Sequence, residues 1–162
     1  GYVQEEIKNL PTWCILWLRE KFLRCSKKFQ CSSKIFIDRS DSKSNHCKLI
    51  NNNEIMAHLF RQGFQSYRVS ELDFFEQIYL FNNAEIIVGP HGAAFTNIIF
   101  SKSLANIVEI IPNDHLSRKC ERISKILNLK YKRIELPRIF NKRESGDMFM
   151  QIDALHKILK EI

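Results

Sequence analysis

The sequence predicts an α/β fold, a parallel sheet of about five strands with helices on both faces. Three observations carry that expectation. Ile86-Ile87-Val88 is a short, continuous, β-branched apolar run, the pattern of a strand buried on both sides. Comparable runs recur before and after it, separated by stretches whose apolar residues keep helical spacing. Gly89-Pro90-His91-Gly92 then forces a sharp turn, and small residues open a segment that can wind into a helix, Ala93 to Phe100.

Each element has a local reason. Leu10 to Cys25 carries Pro11 near its start and apolar residues at Trp13, Leu16, Trp17 and Leu23, which predicts an amphipathic helix. Ser26 to Ser33 is a polar linker, Lys34 to Asp38 the first strand, and Ser40 to Lys48 a polar loop. Asn51 with Glu54 three residues on has the pattern of a capping box, opening a helix that turns Ile55, Met56, Leu59 and Phe60 inward and stops at Gly63. Phe64 to Val69 is a second strand. Ser70 is placed to cap a helix holding Phe74, Phe75, Ile78 and Tyr79. Glu85 to Val88 forms the third strand and Asn106 to Ile110 the fourth, ended by Pro112. Asp114 starts a helix with Leu116, Cys120, Ile123 and Leu127 on one face, Lys130 to Leu136 is a fifth strand, and Pro137 to Gly146 is a basic loop. Asp147 opens a last helix with Ile152, Leu155, Leu159 and Ile162. The expected division is a helical segment over 1–30 packing on a domain that runs from 31 to 162.

A chain of 162 residues, 44% of them hydrophobic, is enough for one domain with a real core. No stretch approaches the ~18 continuous apolar residues of a membrane span, and the start has no secretory pattern. The five cysteines are odd in number, scattered and without a CxxC pair. They fit core or free thiols of a reducing compartment, or a fragment of a lumenal protein, and not a zinc site. The expected compartment is the cytoplasm. The net charge of +7 divides into +5 over residues 1–50, −3 over 51–112 and +5 over 113–162. The glycine turn therefore lies in the acidic third, which argues against nucleic acid as a partner. The basic flanks are either solvated helix faces or a contact with an anionic membrane surface or acidic polymer.

The turn is where the chemistry gathers. A strand, a glycine turn and a helix start bring unpaired backbone N–H groups to one point, with the positive end of a helix dipole behind them. That suits a phosphate. Gly92 and Ala93 carry little or no bulk, so a ligand can approach the backbone. Ligands in such folds bind outside the carboxyl ends of the strands, where Arg39, His91 and Glu109 fall. Arg39 is placed either to neutralise a diphosphate or to pair with Asp38 or Asp41. Glu109 is placed to accept from ribose hydroxyls. Asn97 either contacts ligand or holds the turn together. His91 has three readings: fixing the turn, binding phosphate (the favoured one), or moving a proton. His46, His58, His115 and His156 show no ligand spacing.

The ordered set Glu76-Gln77, Phe81, Ala84, Gly89-Pro90-His91-Gly92-Ala93, Thr96-Asn97, Phe100 and Val108-Glu109 resembles the signature of glycosyltransferase family 61. Upstream, Ile35-Phe36-Ile37-Asp38-Arg39-Ser40, Asn51 and Glu54 resemble its strand-Arg segment and later Asn-Glu pair. The likeness runs from Lys34 to Pro112. The family includes bacterial capsular-polysaccharide enzymes, plant xylosyltransferases and animal O-linked N-acetylglucosaminyltransferases. Two departures are Lys48, where the family tends to have Arg, and Asn52, where it has Glu; Lys keeps the charge but not the planar fork.

The resemblance implies a Rossmann-like C-terminal lobe of a two-lobed, GT-B transferase that moves a sugar from a nucleotide-sugar to a hydroxyl of a polysaccharide or glycoconjugate. It implies inversion, no metal and no cofactor beyond the nucleotide-sugar substrate, and no DxD motif is present. The donor site it implies comprises Arg39, Gly89, His91, Gly92, Ala93, Asn97 and Glu109, with His91 as the catalytic candidate. The other partner would be an N-terminal lobe of the same protein. A bacterial source would put the chain at the inner-membrane surface. The alternative reading is a non-catalytic nucleotide- or phospholigand-binding module; a basic nucleic-acid adaptor is a third, with an affinity that falls steeply with salt.

Overall fold

The computed structural model describes residues 11–41, 47–139 and 147–162. Five strands, β1 (Lys34–Ile37), β2 (Gln65–Tyr67), β3 (Ile86–Pro90), β4 (Asn106–Pro112) and β5 (Lys130–Leu136), form one sheet in the order β2-β1-β3-β4-β5. All four pairings are parallel. The helices are α1 (Thr12–Phe22), α2 (Asn52–Phe60), α3 (Phe74–Asn83), α4 (Lys119–Ile126) and α5 (Ile152–Leu159), with a 3₁₀ helix at Ala93–Phe100. The architecture is the Rossmann-like parallel sheet flanked by helices that the apolar runs predict.

Side-chain alternation splits the strands between two cores. Ile35, Ile37, Ile87 and Ile107 face α1, α3, the 3₁₀ helix and α4, where Ile15, Ile78, Phe81, Phe95 and Ile123 close over them. Phe36, Val88, Val108 and Ile110 face the other way, onto Ile55 and Leu59 of α2 and Leu155 of α5. Phe36, Phe81, Phe95 and Phe100 are fully buried. Each such side chain contributes about 1.5–3 kcal/mol relative to exposure.

Several local expectations are corrected. Trp13, Leu16 and Trp17 do not face inward; α1 turns Ile15 to the core and leaves those three 68%, 48% and 48% exposed. Periodicity marks α1 as helical, but apolar residues occupy both of its sides. Phe60 is likewise outside, at 76%. Phe74, Phe75 and Leu116 are exposed too. Asn51 makes no side-chain cap to α2. Its amide instead donates to the Met150 carbonyl (2.8 Å) and to Glu54 (3.1 Å), and its oxygen accepts from the Met150 amide (3.2 Å). The residue that caps α3 is Asp73, in a reciprocal box with Glu76, not Ser70. α4 begins at Lys119 rather than Asp114, because Arg133 holds the carbonyls of His115 and Ser117 at 2.7 Å each, outside any helix.

Asp147 starts no helix. Arg138–Ile139 and Asp147–Met148 form a small antiparallel pair (β6 and β7), and Met148 also bridges Leu49. The start of the first predicted helix at Leu10, His46 with the middle of the 40–48 loop, and most of the 137–146 loop lie outside the described residues.

Candidate functional site

The strand order reverses between β1 and β3: β1 leads on to β2 on one side, β3 to β4 on the other. Loops leaving the carboxyl ends of two such strands diverge and leave a crevice, the usual ligand position in an open parallel sheet. Here a cleft of about 390 Å³ opens at that point, lined among others by Asp38, Arg39, Ser70, Ala93, Ala94 and Asn97. Of the expected site residues, Arg39, Ala93 and Asn97 line this cleft, whereas Gly89, His91, Gly92 and Glu109 are not among its lining residues.

Arg39 is central to it. Its Nη1 donates to the carbonyl of His91, across from the glycine turn. A Cβ placed on Gly92 would overlap Nη1 and Cζ of that guanidinium. Gly92 has an extended backbone (φ 173°), so its lack of a side chain serves the close approach of Arg39, not a special dihedral. Gly89 serves packing: a Cβ there would meet the Cβ and carbonyl oxygen of Ile37 at 2.9 Å.

The amides around the turn differ. That of His91 is taken by the Ile110 carbonyl at 2.7 Å, which removes it from the expected anion cradle. Among the described residues, no backbone carbonyl bonds the amides of Gly92, Ala93 and Ala94. These three groups begin the 3₁₀ helix beside the cationic Arg39.

The loop after β1 is fixed by Asp38, which accepts from the Ser40 amide and hydroxyl (2.9 Å each), Asn52 Nδ2 (3.0 Å) and Arg68 Nε (3.2 Å). Burial alone raises a carboxyl's pKa; these donors outweigh it and hold Asp38 below its ordinary value. Asn52 occupies the position at which the family pattern has Glu, and here an amide suits a partner that is itself a carboxylate. Asn97 bonds Gln77 Oε1 at 2.9 Å, and Gln77 Nε2 spans the carbonyls of Val69 and Leu72 at 3.0 Å each. Asn97 therefore ties the 3₁₀ helix to α3 and to the loop after β2, while still lining the cleft.

Glu109 is 1% exposed, and Oε1 meets His91 Nδ1 at 2.5 Å while Oε2 accepts from the Tyr131 hydroxyl at 2.5 Å. Both oxygens are engaged, and in this arrangement the buried carboxylate orients His91. β4 runs on to Pro112, which puts Glu109 inside the strand instead of at its end. Burial raises the Glu109 pKa, but hydrogen bonding and charge from His91, with Tyr131 and Cys120, bring it below the ordinary glutamate value. Burial and the Glu109 carboxylate push the Tyr131 phenol up, so it remains a donor. With Nδ1 committed to Glu109, Nε2 is the His91 atom left for chemistry. Against it lies His115, ring centroids 4.3 Å apart, its pKa lowered by burial and then by His91. Tyr131, Cys120, His115 and Gln77 were not singled out from sequence as site residues. Only Gln77 had a signal, as part of the Glu76-Gln77 pair.

Among the described residues, His91, Glu109 and Cys120 form the one group of three whose ligating atoms lie within 4.8 Å of one another. The 2.5 Å His91–Glu109 separation is that of a hydrogen bond. Two ligands on tetrahedral zinc, each about 2.0–2.2 Å from the metal, stand roughly 3.3 Å apart. Burial and Glu109 also raise the Cys120 thiol well above its ordinary value, which keeps it protonated. As arranged, the group shares protons.

The family model described as Glycosyltransferase 61 matches residues 2–108. The EGF domain-specific O-linked N-acetylglucosamine transferases of Bos taurus, Pan troglodytes and Rattus norvegicus are each 31% identical to the chain over 68 residues, which is 39% of this chain and 13% of theirs.

Proposed function

Because the chain belongs to the glycosyltransferase 61 family, we propose that it is the donor-binding lobe of a GT-B glycosyltransferase. It would transfer a sugar from a nucleotide-sugar to a hydroxyl of a polysaccharide or glycoconjugate, with inversion and without a metal. A further lobe of the same protein would complete the acceptor side. The observation that carries this reading is the meeting of Arg39 with the amides of Gly92, Ala93 and Ala94 at the β1/β3 reversal.

Sugar transfer from a nucleotide donor leaves a diphosphate on which negative charge grows as the glycosidic bond breaks. A guanidinium and fixed amide dipoles set around that position stabilise the charge without reorganising. The His91 amide is held by the Ile110 carbonyl, which leaves the amides of Gly92, Ala93 and Ala94 with Arg39 to form the phosphate cradle. His91 contributes through Nε2, either as a donor to a phosphate oxygen or as the base that takes the acceptor's hydroxyl proton, with Glu109 holding the imidazolium that results. Asn97, Gln77 and Asp38 keep the walls in position.

Calorimetric titration of the full-length protein with UDP, GDP and CMP, beside Arg39→Ala, tests the reading. The relatives are named for N-acetylglucosamine transfer, so a nucleotide-activated N-acetylglucosamine is the first donor for the turnover assay. Loss of both nucleotide affinity and turnover in the variant is expected. Affinity and turnover equal to wild type would refute the site. Nucleotide binding without transfer by the full-length protein would mean a non-catalytic nucleotide-binding module.

A further inference from the structure

Helix α1 carries both tryptophans of the chain on the side turned away from the core. At 3.6 residues per turn, Trp13 and Trp17 each lie about 160° around the helix from the buried Ile15. Leu16 stands beside them, and the three are 68%, 48% and 48% exposed. The apolar surface continues along a chain of ring contacts from Trp17 to Phe22 and from Phe22 to Phe74, with centroids 6.5 and 5.4 Å apart. Phe74 and its neighbour Phe75 are themselves 44% and 43% exposed. Single exposed apolar residues need no explanation, but a contiguous aromatic surface marks an interface.

The charge around this surface says what kind. Lys21 on α1 and Arg24 and Lys28 just after it are exposed next to it, against two exposed carboxylates, Glu20 on the helix and Asp73 beside Phe74. Lys27 does not join them, since its ammonium is bonded to Asp73 and Glu76 at 2.9 and 2.7 Å. Tryptophan and leucine beside a basic rim is the composition of a helix that lies in the headgroup region of an anionic bilayer. No helix among the described residues is long and apolar enough to cross a membrane. We infer that the α1 face, Trp13, Leu16 and Trp17 with Lys21, Arg24 and Lys28, docks the protein peripherally on an anionic lipid surface. The donor cleft lies at the carboxyl ends of β1 and β3, built from residues that this face does not use, so membrane docking and sugar transfer can fail separately.

Trp13 and Trp17 are the two tryptophans of this sequence, so intrinsic fluorescence reads the contact when Trp13→Phe/Trp17→Phe is run beside it to isolate their emission. The emission of the protein is followed while phosphatidylglycerol-containing vesicles, or vesicles of pure phosphatidylcholine, are added. A blue shift with the anionic vesicles alone is expected, reversed at ~1 M salt, where the Debye length falls to about 3 Å. The variant Lys21→Gln/Arg24→Gln/Lys28→Gln keeps both reporters and alters only exposed positions; its fold is checked by circular dichroism. Each basic residue near the surface accounts for about fivefold in affinity, so the variant should bind roughly a hundredfold more weakly. No shift with anionic vesicles, or an equal shift with neutral ones, overturns the inference. So does emission in full-length protein that is already blue and shielded from acrylamide, which would mean the rest of the polypeptide covers the face. A lipid-independent shift that follows protein concentration, with a dimer in the ultracentrifuge, overturns it in favour of a second copy.

Discussion

Two glycines on the same turn should fail in opposite ways when given a methyl group. In Gly92→Ala the new Cβ overlaps the guanidinium of Arg39, the far end of a flexible side chain, and the extended backbone tolerates alanine. Arg39 must swing aside and give up its bond to the His91 carbonyl. A hydrogen bond from a charged group is worth about 1.5–3 kcal/mol, and the entropy that alanine removes from the unfolded chain returns about 0.4–1 kcal/mol. The net stability loss is therefore about 1.5 kcal/mol, or roughly 3–6 °C in Tm for a domain of this size. Nucleotide affinity should fall further, by roughly 10- to 150-fold, if one charge-assisted phosphate contact disappears. In Gly89→Ala the Cβ meets Ile37 Cβ and its carbonyl oxygen at 2.9 Å between two buried strands. Backbone must part there, at about 2–3 kcal/mol. Thermal melts and calorimetric titration with a nucleoside diphosphate on both full-length variants separate the cases. If Gly92→Ala binds nucleotide like wild type, Arg39 has no part in the donor site. If its Tm drops as far as that of Gly89→Ala, the guanidinium is not the movable neighbour described above.

Asp38 and Glu109 both have pKa values below their ordinary ones. A depressed carboxyl adds stability above its unfolded value, about 3.9 for Asp and 4.3 for Glu, and loses it as pH falls through the folded value. Resistance to urea should accordingly fall below about pH 4.3, and Asp38→Asn with Glu109→Gln should flatten that slope; an unchanged slope would contradict the assignments. Asn51→Ala strands the amide and carbonyl of Met150, a residue 1% exposed. It should cost about 2–4 kcal/mol in denaturant melts, whereas a true cap residue would cost ~1. With a thiol-specific disulfide reagent at mildly alkaline pH, exposed Cys25 should react at once. Cys47 and Cys120, buried and with raised pKa values, should react only on unfolding, and prompt labelling of either would count against their placement.

What could be read from sequence was what is encoded locally. The run Ile86-Ile87-Val88 with its glycines gave β3 and the turn, because a strand buried on both faces leaves an uninterrupted apolar signature. Arg39 was singled out because it falls just past the carboxyl end of β1 and within the segment that resembles the family's strand-Arg pattern. The errors were of two physical kinds. One is orientation: Trp13, Leu16 and Trp17 satisfy a helical period, yet a single Ile15 outcompetes them for the core, and sequence spacing carries no information on which side is covered. The other is distance along the chain. Asn51 and Glu54 matched a capping pattern, but the groups that claim Asn51 belong to Met150, 99 positions away. Glu109 looked like a strand end; its neighbours His91, Tyr131 and Cys120 come from three other elements and converge only in the folded sheet.

The four hydrogen bonds gathered on Asp38 have a thermodynamic consequence for whatever enters the cleft. They hold the segment on both sides of Arg39, so a ligand entering the cleft would meet a backbone whose freedom is already spent. Association should then proceed without a slow ordering phase, and its unfavourable entropy should come mainly from the ligand. Loosening that carboxylate would return the disorder to the binding step, lowering affinity while every atom that touches the ligand stayed the same.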